Sequence, residues 1–444
     1  MRQSLYLSFR HTWWALKRYP AYRIASLLED SQWWSRKKLE AFRDNKLACL
    51  VEHCYHHVPY YRRVMQERDL KPQDIQSAAD LGKLPLLTKD IVRTHCRDLR
   101  ATNVADTEVI IASTGGTTGE PMRIAKAPRD AAWANMCFER GLSWGGLAPG
   151  GNRVHLTGGS IGAVKRTRQQ TASDWLSGRL HLLAYDLGEK TLYEYTTAIR
   201  RSGVQFIVGY ASNIYLLARL LHERGESLNL RAVFTTAELL LPKWAATIKK
   251  VLNCSVYSYY GCGESNSLGY QCHEGDAYHI PEEHVILEAK SDDSETGLPG
   301  RGRVLITDLD NTAMPLLRYQ NGDYVTLNDT PCSCGRSLRL ISKLEGRTYE
   351  FLLSTSGELV SAGICDVILG NVGSVREFQV RQDAAGHVRV IVVPSKKLTD
   401  EEKTYIRQSF QFYLGEAFNV DIENVNRIPR TNAQKLQTAI NELL

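Results

Sequence analysis

The run Ser113-Thr114-Gly115-Gly116-Thr117-Thr118-Gly119-Glu120-Pro121 constrains this chain more than any other segment, because it follows a strand-like stretch, Val109-Ile110-Ile111-Ala112. Glycines let the backbone turn back and bring its N–H groups close to an anion, and Ser and Thr hydroxyls add donors for phosphate oxygens. The segment reads as a triphosphate cradle, its plainer alternative being a Gly/Thr-rich hairpin turn. It is not a Walker A loop. No Gly-Lys-Ser/Thr closes it, and Met122-Arg123-Ile124-Ala125 reads as a second strand rather than a helix.

A chain of 444 residues exceeds the size at which one core usually keeps growing, so two or more domains are expected. A formal charge of +6 is small for this length, and no basic block or aromatic-basic repeat marks a nucleic-acid surface. Between Met1 and Arg23 the aromatic residues Trp13, Trp14, Tyr19 and Tyr22 are interrupted by Arg10, Lys17 and Arg18, so no signal-peptide core is present. No run reaches membrane-spanning length. The chain is therefore expected to be cytoplasmic. Its basic-aromatic start admits a weak peripheral membrane contact, although aromatics packed on a neighbouring domain are the preferred reading. The 10 cysteines do not form a dense disulfide framework, which favours free thiols or metal ligands.

The spacing predicts a mainly helical region over residues 1–100, with helical texture from Ser31 to Cys96 broken at Val58-Pro59. From Glu108 to about Leu340, strand-like runs such as Gln205 to Val208, Ala232 to Phe234, Val256 to Tyr260 and Val304 to Ile306 alternate with helical stretches such as Asn213 to Arg224. That alternation predicts an α/β core. Beyond Gly346-Arg347 the pattern changes to a hairpin around Thr355-Ser356-Gly357, two strands joined by Ala384-Ala385-Gly386 and a helix from Thr399 to about Leu414. This predicts a large α/β domain over residues 1–346 and a small α+β domain over residues 347–444.

Tyr260-Gly261-Cys262-Gly263-Glu264 follows the strand ending at Tyr259, which puts Glu264 where open α/β sheets bind ligands. A carboxylate there can hold Mg2+ against phosphate oxygens, and the Tyr260 ring offers a flat face to a purine. Asn321-Gly322 is a hairpin-turn dipeptide, so Asp323 is expected at a turn with both oxygens presented to ribose hydroxyls. Near the end, Arg427-Ile428-Pro429-Arg430-Thr431-Asn432-Ala433-Gln434-Lys435 sets one lysine past a Pro-initiated loop, where a mobile ammonium can meet developing negative charge.

In order and spacing these motifs resemble the adenylate-forming superfamily of acyl-CoA synthetases, peptide-synthetase adenylation domains and luciferases. The phenylacetate-CoA ligase branch and its CapK-like members are most similar. The resemblance covers most of the chain and includes His57-Val58-Pro59-Tyr60-Tyr61-Arg62, Leu84-Pro85-Leu86-Leu87-Thr88-Lys89 and Pro331-Cys332-Ser333-Cys334-Gly335-Arg336. It implies layered α/β sheets followed by a small mobile lid domain. It also implies that Ser113, Thr114, Gly115, Gly116, Thr117, Thr118 and Gly119 hold the ATP phosphates. Ala237 and Glu238 would then lie along adenine, Tyr260 and Gly261 would flank the base, and Asp323 would bind the ribose. Glu264 would bind Mg2+, Arg347 would approach the ribose from the domain junction, and Lys435 would bridge carboxylate and α-phosphate. The small domain would rotate near Arg347 to Glu350 for the second half-reaction.

Three departures stand out. Gly263 occupies a position where the family usually has Ser or Thr, Thr348-Tyr349-Glu350 replaces an Asp-bearing hinge, and Ala433-Gln434 replaces the Gly before the lysine. The acyl pocket is expected to draw on His155, Gly158-Gly159 and Tyr210.

Cys272, His279, Cys332 and Cys334 supply three thiols and an imidazole, which is a complete tetrahedral zinc set. His273 is an alternative to His279, and buried thiols are the alternative to a metal. His53, Cys54, His56 and His57 lack the Glu of a metalloprotease helix and read as the polar face of a helix.

Together these readings predict an ATP- and Mg2+-dependent ligase. It would activate a small carboxylic acid as an acyl-adenylate and pass it to a thiol, coenzyme A by family default, or to an amine in envelope polysaccharide synthesis. A catalytically degenerate nucleotide-binding scaffold is the competing reading, and a homodimer is left open by the sequence.

Overall fold

The computed structural model describes residues 19–113, 122–157, 178–183, 189–240, 242–291, 300–347, 351–357, 359–370, 372–429 and 436–443. These form two compact units. One comprises residues 1–240, 244–321 and 325–344, and the other comprises residues 241–243, 322–324 and 345–444.

The first unit opens with helices Tyr19–Ser31, Arg36–His57 and Pro59–Gln66. In the second of these, Leu39, Arg43, Leu47, Leu50, Val51 and Cys54 recur at helical spacing and are buried. Ser35 caps its start through the Lys38 N–H, and Val58-Pro59 ends it because proline disfavours helical backbone in the preceding residue. The sequence reading placed Cys54 on a polar face with its neighbours, but it points inward and is fully buried. The i, i+4 stripe that carries Leu47, Leu50 and Val51 also carries Cys54. His53 turns the same way, to the carbonyl of Thr312 at 2.9 Å.

Strands β1 (Ile110–Ser113) and β2 (Arg123–Lys126) pair antiparallel on either side of the Gly/Thr-rich segment. Then follow β3 (Arg153–Thr157), β4 (Arg179–Leu183), β5 (Phe206–Tyr210), β6 (Ala232–Thr236), β7 (Ser255–Tyr260), β8 (Gly269–Gln271), β9 (Tyr278–His279), β10 (Val285–Lys290), β11 (Arg301–Asp308), β12 (Tyr319–Asn328) and β13 (Leu340–Arg347). They build one 11-stranded sheet in the order β10-β11-β12-β13-β9-β8-β7-β6-β5-β3-β4.

The strands from β4 to β7 are parallel, with helices Glu189–Ser202, Ala211–Glu223 and Pro242–Leu252 as crossovers. From β7 to β8, β8 to β9 and β9 to β13 the pairing is antiparallel. In the parallel half the order 4-3-5-6-7 reverses direction between β3 and β5, and open sheets bind ligands at the carboxyl ends of strands beside such a reversal. Strands buried on both faces read as continuous apolar runs, which is why Phe206-Ile207-Val208 and Ala232-Val233-Phe234 were legible. No described helix is long and apolar enough to cross a membrane.

A second sequence expectation also fails. Asn321-Gly322-Asp323 is not a hairpin turn, because β12 runs through it from Tyr319 to Asn328. Neighbours β11 and β13 continue the sheet on both sides, so the positive φ of Gly322, 90°, is absorbed inside a strand rather than reversing the chain. Asp323 is consequently a buried strand residue, 6% exposed.

In the second unit, β14 (Phe351–Leu353) and β15 (Leu359–Ser361) form a hairpin. A four-stranded sheet in the order β18-β17-β16-β19 combines β16 (Val375–Ala384), β17 (His387–Pro394), β18 (Asn419–Asn424) and β19 (Ala439–Asn441). Its core includes Val380, Val388, Val390, Val392, Ile406, Phe410 and Phe418. Helix Asp400–Leu414 begins with a reciprocal cap, in which the Thr399 N–H donates to Glu402 and the Glu402 N–H donates to Thr399 Oγ1 at 3.1 Å. It ends at Gly415, whose φ of 118° and whose place against Thr355 exclude a side chain.

Candidate functional site

At the carboxyl edge of the parallel half, β6 and β7 pair side by side, with Thr235 opposite Ser258. The segments that leave them, Ala237-Glu238 and Tyr260 to Glu264, therefore emerge at the same edge. Ala237 adopts φ 68°, a left-handed conformation that costs an alanine about 1 kcal/mol or more and persists only where its surroundings enforce it. Such positions cluster at ligand sites.

The turn after β7 is tightly built. Leu268 N–H returns to the Tyr260 carbonyl at 3.0 Å, and Asn266 N–H to the Cys262 carbonyl at 2.7 Å. A Cβ on Gly261 would lie 1.9 Å from the Asn266 carbonyl oxygen, so this position admits only glycine. Within the turn Glu264 is buried, 8% exposed, and its Oε1 accepts a hydrogen bond from Tyr319 Oη at 2.9 Å. Among the described residues its second oxygen accepts no hydrogen bond, which leaves a fixed carboxylate oxygen of the kind that suits Mg2+. Tyr260 Oη accepts from Asn321 Nδ2 at 2.8 Å, which orients the ring. Lys126, at the end of β2, donates to the Gly263 carbonyl at 3.4 Å and brings a cation to the turn.

Behind the turn, Ser265 Oγ donates to Asp308 at 2.9 Å, and His284 bonds Asp310 at 2.7 Å. His284, Asp308 and Asp310 have the donor set of a metal site, but Lys46 Nζ lies 2.6 Å from Asp310 and already supplies a cation. Burial disfavours the charged imidazole of His284, yet Asp308 and Asp310 outweigh it and raise its pKa above the ordinary range. The network is a charged prop for the turn.

At the switch between β3 and β5 the backbones approach closely, because a Cβ on Gly209 would meet the Leu156 carbonyl oxygen at 2.2 Å. Tyr210 is fully buried at the end of β5. His155 on β3 stacks on His181 at 4.8 Å, and its Nε2 accepts from Arg153 Nε at 3.0 Å. Arg153 in turn grips buried Glu139 through two hydrogen bonds.

Of the residues expected from sequence, Ala237, Glu238, Tyr260, Gly261 and Glu264 converge at one edge of the sheet. Ser113 ends β1 opposite Arg123. Thr114 to Gly119, Gly158-Gly159 and Lys435 lie outside the described residues, and Arg347 closes β13. Asp323 sits in β12. Tyr319, Asn321 and Lys126 were not assigned roles from sequence. Tyr319 and Asn321 stand in the same motif as Asp323, and Lys126 closes the strand that follows the Gly/Thr-rich segment, which are the signals that point to them.

Cys272, His279, Cys332 and Cys334 also converge, with all four ligand atoms within 4.8 Å of one another. His279 rather than His273 joins the thiols; His273 is exposed and pairs with Glu274 at 3.1 Å. Burial and the nearby charges of Arg336 and Arg140 push the His279 imidazole down to about 4.

The sequence profile of the CapK C-terminal domain matches residues 352–442, inside the second unit. Phenylacetate-coenzyme A ligase of Thermus thermophilus is 26% identical over 367 residues, spanning 78% of each chain, and Protein CapK of Staphylococcus aureus is 25% identical over 396 residues, 86% of this chain and 85% of that one. A 2-hydroxyisobutyryl-CoA ligase crystallised in the postadenylation state with 2-HIB-AMP shares the fold at TM-score 0.72 and 20% identity, covering 90% of this chain and 89% of that one. Over most of its length the chain is similar to the phenylacetate-CoA ligase and CapK branch of the adenylate-forming superfamily. It is an adenylate-forming ligase. An O-succinylbenzoate-CoA synthetase of Bacillus subtilis, solved with ATP and magnesium, shares the superfamily fold at TM-score 0.51 and 14% identity, over 74% of this chain and 68% of that one.

Proposed function

We propose that this adenylate-forming ligase activates a small carboxylic acid with ATP and transfers the acyl group to an acceptor thiol or amine. The observation that carries the reading is the buried Glu264 carboxylate, fixed by Tyr319 in a glycine-dependent turn at the carboxyl end of β7. In the first half-reaction a carboxylate oxygen of the acid attacks the α-phosphorus of ATP, the bond to the β-phosphate bridging oxygen breaks, and pyrophosphate leaves. In the second, a thiol or amine attacks the carbonyl, AMP leaves, and the nucleophile gives up its proton.

Glu264 would hold Mg2+, which supplies charge neutralisation on the phosphates. The loop Ser113 to Gly119 and Lys126 would position the phosphates, while Ala237, Glu238 and Tyr260 would frame the adenine. Asp323 would take the ribose hydroxyls, and Lys435 would neutralise charge as the anhydride forms. The crevice between β3 and β5, beside His155 and Tyr210, would receive the acyl group, because it is the reversal point of the parallel sheet. The CapK relative and the CapK C-terminal domain support a role in capsule or other envelope polysaccharide synthesis, with an amine acceptor there and coenzyme A as the alternative suggested by the ligase relatives. Such chemistry suits the cytoplasm, where ATP is available.

Exchange of labelled pyrophosphate into ATP, run with a panel of aryl, fatty, amino and uronic acids, tests the reading. Exchange with at least one acid, dependent on Mg2+, is the expected result. No exchange with any of them, while ATP still binds, identifies the protein as a nucleotide-binding scaffold instead.

A further inference from the structure

Outside the nucleotide site, the described residue cluster with the most specific chemistry is the one made by Cys272, His279, Cys332 and Cys334. Cys272 follows β8, His279 ends β9, and Cys332 and Cys334 occupy the turn before β13. His279 Nε2 lies 3.4 Å from Cys272 Sγ and 3.4 Å from Cys334 Sγ, and Cys272 Sγ lies 3.8 Å from Cys332 Sγ. A tetrahedral zinc with ordinary bond lengths sets sulfur atoms roughly 3.8 Å apart and sulfur and imidazole nitrogen roughly 3.6 Å apart. The separations are those of a coordination shell, far too long for a disulfide bond.

The surroundings are those of a closed site. The backbone N–H groups of Glu274 and Arg336, each two residues beyond a cysteine, point to the Cys272 and Cys334 sulfurs. Amide donors of this kind stabilise thiolates and fix ligand orientation. Gly335, with φ 83°, lets the Cys332 turn close through its N–H to the Cys332 carbonyl at 3.1 Å. Trp144 packs edge-on to His279 at 5.2 Å and Leu39, Tyr270 and Leu338 complete an apolar shell. Arg336, stacked over Trp144 at 4.6 Å, supplies positive charge beside the thiols. Cys272 and His279 are buried, while Cys332 and Cys334 are half-buried and leave a route for an ion.

We propose that Cys272, His279, Cys332 and Cys334 bind one zinc ion that ties the β8–β9 strands to the turn before β13. With four protein ligands the site has no open position for substrate, so its role is structural. It clamps the antiparallel part of the sheet next to the turn that carries Glu264. The inference is independent of the acid, the acceptor and the adenylation reading.

The test is the metal content of full-length protein purified without chelators or a histidine tag. About one equivalent of zinc is expected. Cobalt introduced in its place should give thiolate charge-transfer and tetrahedral d–d absorption. The Cys332→Ser/Cys334→Ser variant should lose the metal and melt at lower temperature, because metal binding to the folded site is coupled to folding. The variant Cys49→Ser/Cys96→Ser, at exposed cysteines elsewhere, should keep both. Should the first variant fail to fold, the cobalt spectrum of the native chain decides alone. Protein that takes up neither zinc nor cobalt, or cobalt absorption without thiolate bands, overturns the proposal and leaves the cysteines as core thiols.

Discussion

Tyr319 Oη donates to Glu264 Oε1 at 2.9 Å, joining the first residue of β12 to a turn 55 positions earlier in the chain. A buried carboxylate held by one hydroxyl keeps a single rotamer, and its other oxygen is then aimed at whatever cation the site takes. Hydrogen bonds to charged groups are worth about 1.5–3 kcal/mol. Tyr319→Phe should therefore lower kcat/KM for MgATP in pyrophosphate exchange by roughly 10- to 100-fold and raise the Mg2+ concentration needed. Glu264→Gln, which keeps the shape but loses the charge, should be the more damaging of the two. Normal Mg2+ dependence in Tyr319→Phe would mean that the hydroxyl does not position the carboxylate.

Gly261 is a second point of control over the same carboxylate. A methyl group there would sit 1.9 Å from a backbone oxygen of Asn266, and backbone cannot move aside as a flexible side chain can. Gly261→Ala should displace the turn and abolish exchange while far-UV circular dichroism stays native. A fully active Gly261→Ala protein would show that the turn has slack that its hydrogen bonds do not suggest.

Most of the parallel half was legible because its strands are buried on both faces and so appear as unbroken apolar runs, each followed by a helical period. The chemistry of the Tyr260 to Glu264 turn was legible for a related reason, since the glycines and the carboxylate it needs are adjacent in sequence. Its partner was not. Tyr319 reaches Glu264 only through the pairing of distant strands, and no local pattern reports that. Asn321-Gly322 misled because the dipeptide fits a hairpin locally, whereas the sheet on both sides keeps β12 extended. The choice between His273 and His279 had no local signal either. Strand β9 decides it by carrying His279 inward, while His273 sits in the exposed connection.

Acid stability should depend on the pair beneath the β3 strand. Burial would raise the Glu139 carboxyl, but the charge and hydrogen bonds of Arg153, with Arg179 and the Gly150 N–H, hold it down at about 2. An unfolded glutamate titrates near 4.3, so the folded-state pKa is depressed. The stabilisation is complete above about pH 4.5 and is lost as pH falls towards about 2, amounting to about 3 kcal/mol over that window. Replacing both partners, as Glu139→Gln/Arg153→Met, should flatten the fall of melting temperature between about pH 4.5 and 2.5. Arg153→Met alone should be worse at neutral pH than the double variant, because Glu139 then keeps only Arg179 at 3.5 Å and the Gly150 N–H, and breaking a buried pair by removing one partner costs about 3–5 kcal/mol. An unchanged acid slope in the double variant would assign the acid sensitivity to other groups.

Lys435 is proposed to act in one half-reaction only, and this gives the most discriminating prediction. An ammonium that neutralises the carboxylate and α-phosphate matters while the anhydride forms, and loss of such a group commonly costs roughly 100- to 1000-fold in rate. Once the acyl-adenylate exists, that charge has done its work, and the thiol or amine step does not call on it. Lys435→Ala should abolish pyrophosphate exchange, bind ATP nearly as well as the native protein, and still convert a chemically prepared acyl-adenylate when given the acceptor. Here Ala433-Gln434 precedes the lysine where the resemblance implies a glycine, and residues with side chains have fewer backbone conformations open to them than glycine. Gln434→Gly should then raise exchange in the native background and do nothing in Lys435→Ala. If Lys435→Ala keeps near-normal exchange, this loop does not deliver the catalytic cation, and the adenylation role proposed for the second unit fails with it.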